Sequence, residues 1–154
     1  MITLLNSKEN IKMNEKIFEN ESETVASFEK VENTLMDLNN LLKWVPDVTV
    51  VDGVGNDEYK YIVRRHDNAF NDYEEITIKN EDSNIIYISQ KGNIEYNLIF
   101  NIHNDGGKTR IKQALYITNQ GKIKLPLKIL SPIAKKAFKS NLNNLVKLVE
   151  FTRN

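Results

Sequence analysis

A chain of 154 residues, 40 % apolar and 27 % charged, holds material for one domain with one core and too little for two. It contains no cysteine, which excludes disulfides, thiolate metal sites and cysteine nucleophiles together. The formal net charge of zero conceals a split: residues 1–36 carry −3, residues 37–107 carry −7 and residues 108–154 carry +10.

Such a split marks a surface for anions or, more simply, a basic helix neutralised by an acidic sheet beside it. The opening segment MITLLNSKENIK has an apolar run far shorter than the ~7–15 residues of a signal-peptide core. No run approaches the ~18–20 apolar residues that span a bilayer. The expectation is a cytoplasmic protein whose residues 1–12 are loosely ordered and whose residues 13–154 form one domain.

In chain order, Ile17 to Val25 reads as a polar first strand, with Phe18, Asn20, Ser22 and Thr24 on one face. Ser27 is an N-cap, Glu29 suits a helix first turn, and Phe28, Val31 and Leu35 step at helical spacing, so a short helix spans Phe28–Met36. Asp37 caps a second short helix through Leu38, Leu41 and Leu42. It stops near Trp44, because Pro46 disfavours helical geometry in Val45.

Six strands follow. Val48–Val54 is β-branched and apolar, and Gly55-Asn56-Asp57 turns the chain. Tyr59, Tyr61 and Val63 alternate with Lys60, Ile62 and Arg64. Ile76 and Ile78 alternate with Glu75, Thr77 and Lys79. Ile85–Gln90 is a strand, and Gly92-Asn93 reads as a two-residue hairpin turn. Tyr96, Leu98, Phe100 and Ile102 then alternate with polar residues, the clearest half-buried strand in the chain, and Ile111–Thr118 is the last. Tight turns between successive strands imply an antiparallel sheet, and segregated helices imply an α+β fold.

Gly121 opens a basic, apolar connector, Lys122–Leu130. Ser131 reads as the N-cap and Pro132 as the first residue of a long helix running to Phe151. Ala134, Phe138, Leu142, Leu145 and Val149 make one stripe on it, with Lys136, Lys139, Asn143, Lys147 and Glu150 opposite.

Two segments carry a resemblance. From Asp37 to Val48 the chain reads DLNNLLKWVPDV. From Gly121 to Glu150 a glycine leads through a proline-containing connector into a long helix. On these segments the chain resembles the SRPBCC superfamily of START-like, polyketide-cyclase-like helix-grip proteins, in which a D-x-x-x-L-x-x-W-x-P segment follows the first helix. The resemblance runs over roughly residues 13–152 in element order. It implies a curved antiparallel sheet of about seven strands wrapped around the long C-terminal helix, with two short helices after the first strand. Between sheet and helix it implies an apolar cavity for a lipid, sterol, quinone or polyketide. Some members are cyclases, aromatases or hydrolases, and no catalytic motif is shared by all.

Period-two parity then nominates cavity-lining residues. Tyr59, Tyr61 and Arg65 share a face with Val63. Glu74 shares one with Ile76, and Gln113 with Leu115. Tyr96, Leu98 and Phe100 supply the central strand, and Phe138, Leu142 and Leu145 the helix. Trp44 is a packing residue or a ligand platform. A buried Glu or Arg costs free energy unless paired, so these polar groups either orient a ligand head group or sit at the rim in solvent.

The function expected is carriage or sensing of a hydrophobic small molecule, without a cofactor. The alternative is a cyclase or aromatase using Glu74 with Tyr61 or His66, and a third class is an interaction partner with a filled core. The connector lysines Lys122, Lys124 and Lys128, interleaved with Ile123, Leu125, Leu127, Ile129 and Leu130, suit transient contact with an anionic membrane, or else stay solvated above core leucines. His66 and His103 lack metal-ligand spacing, and Gly53-Val54-Gly55 runs into a strand where a dinucleotide motif needs a helix. Neither a metal nor a nucleic acid is expected.

Overall fold

The computed structural model describes residues 15–66, 69–121 and 126–152. The expected loose segment 1–12 and the connector lysines Lys122 and Lys124 lie outside the described residues. Seven strands run β1 (Glu15–Thr24), β2 (Val48–Val54), β3 (Asp57–Arg65), β4 (Tyr73–Glu81), β5 (Asn84–Gln90), β6 (Glu95–Asp105) and β7 (Lys108–Asn119). Among the described residues three α-helices accompany them, α1 (Phe28–Met36), α2 (Leu41–Trp44) and α3 (Leu127–Phe151), with a 3-10 turn at Leu38–Asn40. The strands form one curved antiparallel sheet in the order β1-β7-β6-β5-β4-β3-β2. The α+β class, the strand number and the two short helices after β1 are as the sequence implies.

The local chemistry explains the elements. The Ser27 hydroxyl accepts from the Lys30 N–H at 3.1 Å and starts α1. The Asp37 carboxylate accepts from the Asn39 N–H at 3.1 Å and starts the 3-10 turn. α1 buries Val31 and Leu35, and the α2 region buries Leu38, Leu41 and Trp44.

Two details of the sheet depart from expectation. Ile17 and Phe18 are both buried, although neighbours in a strand face opposite ways. The pairing of β1 with β7 shifts register between Lys16 and Phe18, and this bulge turns both side chains inward. The β5–β6 connection is four residues, Lys91 to Ile94, not a two-residue turn at Gly92-Asn93. Lys91 takes a φ of 68°, and its N–H donates to Glu95 Oε2 at 2.9 Å.

α3 begins at Leu127, one turn before the expected start. Pro132 therefore sits inside the helix, where it removes one backbone donor. Ser131 is not the cap; its hydroxyl donates across to the Ile17 carbonyl at 2.5 Å. Burial of Leu130 against the core favours the extra turn. Further along, Leu142, Leu145 and Val149 are fully buried, each contributing roughly 1.5–3 kcal/mol. The N-terminal half of the same stripe, Ala134 and Phe138, is only partly buried. Helix and sheet close tightly at one end of α3 and stand apart at the other.

Candidate functional site: a pocket under the first half of α3

Where α3 stands off the sheet, a pocket of about 720 Å³ lies between them. Its apolar wall is Ile94 of the β5–β6 turn, Leu115 and Ile117 of β7, and Leu130, Ala134 and Phe138 of α3. Phe138 is held against Phe18, their ring centroids 5.2 Å apart. Phe70, 40 % exposed, and Ile133, 55 % exposed, stand at the mouth with His66, Pro46 and Ala137.

Ser140 and Asn141 of α3 add polar groups to the wall, and a polar cluster centres on Glu74. Glu74 on β4 is fully buried. Its Oε2 accepts from Arg65 Nε at 2.7 Å, and its Oε1 accepts from Ser89 Oγ at 2.7 Å and Tyr96 OH at 2.6 Å. Three donors on one carboxylate compensate its removal from water. Arg65 also faces Asp47, with Nη1 3.7 Å from Oδ2. Burial works against the Arg65 charge, but Tyr96, Glu74 and Asp47 outweigh it and push its pKa up. Burial, and then the Glu74 charge, push the Tyr96 hydroxyl far above its usual range, so it serves as a proton donor in a hydrogen bond and not as an anion.

The mouth is fastened by asparagines. The Asn71 side chain donates to the Ile94 carbonyl and accepts from the Ile94 N–H, both at 2.8 Å. Asn93 Nδ2 donates to the Phe70 carbonyl at 2.9 Å. Gly121, with φ +61°, backs onto Asn93 so closely that a Cβ there would sit 2.1 Å from the Asn93 carbonyl oxygen.

Of the residues nominated by parity, Glu74, Tyr96, Leu115 and Phe138 line the pocket, as does Arg65. The others lie elsewhere. Val63, Ile76, Leu98, Phe100, Leu142 and Leu145 are packed in the core, where helix and sheet touch. Trp44 is buried edge-on to Phe100 at 6.2 Å. Gln113 is fully buried; its Oε1 accepts from Asn20 Nδ2 at 3.0 Å, outside the pocket wall. Tyr61 is partly buried beside the core, and Tyr59 is 47 % exposed towards the far end of β3. Lys128 is exposed in the first turn of α3. Parity missed Ser89, although Ile85 and Tyr87 put it on the inward face. It also could not find Asp47, Phe70 and Asn71, which sit in loops without periodicity.

Among the described residues no helix is long and apolar enough to cross a membrane, and no group of His, Asp and Glu gathers to hold a metal. No family model matches the chain, and no curated protein does. Solved structures do. A START superfamily protein from Mycobacterium smegmatis superposes with a TM-score of 0.73 at 16 % identity, over 86 % of this chain and 96 % of that one. The fold is the START-like helix grip. A conserved protein from Geobacillus kaustophilus shares the helix grip, with a TM-score of 0.66 at 16 % identity over 86 % of this chain and 93 % of that one. So does Ara h 8.0201, with a TM-score of 0.64 at 16 % identity over 88 % of this chain and 97 % of that one. At such identities the likeness is one of backbone architecture, and the chemistry of this helix grip has to be read from its own pocket.

Proposed function

We propose that this protein is a non-enzymatic carrier or sensor of a hydrophobic small molecule, such as a lipid, quinone or polyketide, held between sheet and α3. The observation that carries the reading is the pocket's build. It has a volume of about 720 Å³, largely apolar walls from β7 and α3, and a polar cluster around Glu74. Ligand sites have this composition, with apolar surface for affinity and a few fixed polar groups for orientation. The START-like helix grip supports the same reading, since the superfamily that the sequence resembles holds apolar molecules between sheet and helix. A cytoplasmic setting suits a chain without cysteine.

The cyclase reading has less support. It would use Glu74 as an acid or base with Tyr61 or His66. Glu74 already accepts from three donors, Arg65, Ser89 and Tyr96, and Tyr61 is not in the pocket wall. A general base needs a free lone pair aimed at its proton.

Loading from an anionic membrane completes the proposal. Phe70 and Ile133 are exposed at the mouth, Ile129 is exposed one turn before Ile133, and Lys128 and Lys136 are exposed on the same turns of α3. Apolar side chains ringed by lysines suit a headgroup surface.

The test is titration with the neutral fluorescent dye N-phenyl-1-naphthylamine. Wild type should enhance its emission saturably. Ala137→Trp, which fills the mouth from an exposed helix position, should weaken binding about tenfold or more at unchanged stability. Equal binding by both proteins would place the dye elsewhere and remove the main support.

A further inference from the structure

The pocket's polar cluster also specifies the charge of what it can take. We propose that the ligand presents an uncharged oxygen acceptor, an ester or ketone carbonyl, to the Arg65 guanidinium, and that the pocket discriminates against the carboxylate of the same chain. The inference rests on the pocket being the ligand site.

The donors and charges around the pocket point to this. The Asn71 amide is committed to both backbone groups of Ile94. Both oxygens of Glu74 are committed to Arg65, Ser89 and Tyr96. The Tyr96 hydroxyl spends its one proton on Glu74. Arg65 spends only Nε. Among the described residues its terminal nitrogens make no direct hydrogen bond, since Nη1 stands 3.7 Å from Asp47. Beside the second N–H of Asn71, the donors left in the polar cluster are those of Arg65, whose side chain is 15 % exposed and borders the pocket. A ligand oxygen can take them.

A charged oxygen cannot do so cheaply. One guanidinium already faces two carboxylates, Glu74 at 2.7 Å and Asp47 at 3.7 Å. A ligand carboxylate would be a third negative group around a single cation, in a cleft where water screens poorly. A carbonyl accepts the same hydrogen bonds without the repulsion.

The experiment is displacement of N-phenyl-1-naphthylamine at pH 8 by methyl laurate, laurate and dodecane. Methyl laurate should displace the dye best, with laurate about tenfold weaker or more. Asp47→Asn removes one negative neighbour from a half-exposed position. It should narrow the gap by strengthening laurate more than methyl laurate. Arg65→Met combined with Glu74→Gln removes both buried charges together, which keeps the fold from carrying an orphaned one. It should bring methyl laurate down to the level of dodecane. If laurate matches methyl laurate in wild type, or the ratio is the same in Asp47→Asn, the inference is wrong and the pocket reading survives. If the dye binds and none of the three probes displaces it, both the pocket reading and this inference fall.

Discussion

Glu74 is the most costly single charge in the molecule to leave alone. It is fully buried, and among the described residues Arg65 Nε at 2.7 Å is its only cationic contact. Arg65→Leu should therefore lower stability by ~3–5 kcal/mol, because it strands a carboxylate in the interior. Arg65→Met with Glu74→Gln should recover most of that loss, since the remaining partners are neutral. Urea melts check both, and equal losses in the single and double variants would mean that Arg65 acts through packing alone. Gly121 makes a second residue-scale case. Its φ of +61° and the 2.1 Å approach of a Cβ to the Asn93 carbonyl leave no room for a side chain. Gly121→Ala should cost at least ~2 kcal/mol. Asn93 holds the Phe70 carbonyl, so the same change should also loosen the mouth and weaken dye binding. A variant as stable as wild type would contradict the clamp.

At the scale of elements, α3 divides into a gripping half and a lining half. Leu142 is fully buried between sheet and helix, and Leu142→Ala should cost ~2–5 kcal/mol. Phe138 is partly buried and faces the pocket. Its loss to Ala should cost less, about 1–2 kcal/mol, while changing dye affinity more than Leu142→Ala does. Denaturant melts and dye titrations on the two variants separate the roles; equal stability losses would mean that Phe138 is part of the core. The sequence made this stripe visible because 3.6-residue periodicity follows from side-chain chemistry alone. It could not show where the stripe leaves the sheet, since that depends on how far the strands curve. The same limit governs the site. Glu74 and Arg65 were legible by parity with Ile76 and Val63, because a period of two fixes the face of a strand residue. The bulge at Lys16/Phe18 and the positive φ of Lys91 break local periodicity for reasons set by distant partners. The inner start of α3 also escaped, because Ser131-Pro132 is a good helix opening that burial of Leu130 overrides.

At the scale of the whole molecule, the charge split is partly neutralised between neighbours. Arg110 of β7 pairs with Glu21 and Glu23 of β1 and with Asp105, and Lys139 of α3 donates to the Glu21 carbonyl at 2.6 Å. Such exposed pairs contribute little stability each, ~0–1 kcal/mol. Lys128, Lys135 and Lys136 make no such pair among the described residues; all three are exposed on the first turns of α3, Lys135 and Lys136 beside a second groove with Lys139. The protein should therefore sediment with phosphatidylglycerol vesicles at low salt and be released as salt rises, each lysine near the surface contributing about 1 kcal/mol. Ile133→Ser with Lys128→Gln and Lys136→Gln should abolish it. A wild-type protein that stays in the supernatant at low ionic strength would contradict membrane docking while leaving the pocket untouched. The central claim is that the space under α3 holds an apolar molecule. Native mass spectrometry of the protein purified without organic solvent from its own cells tests it most directly. The account predicts a discrete added mass, released by organic solvent as an uncharged apolar compound and absent from Ala137→Trp prepared in the same way. A bare polypeptide mass in wild type, or the same added mass in both proteins, would contradict it.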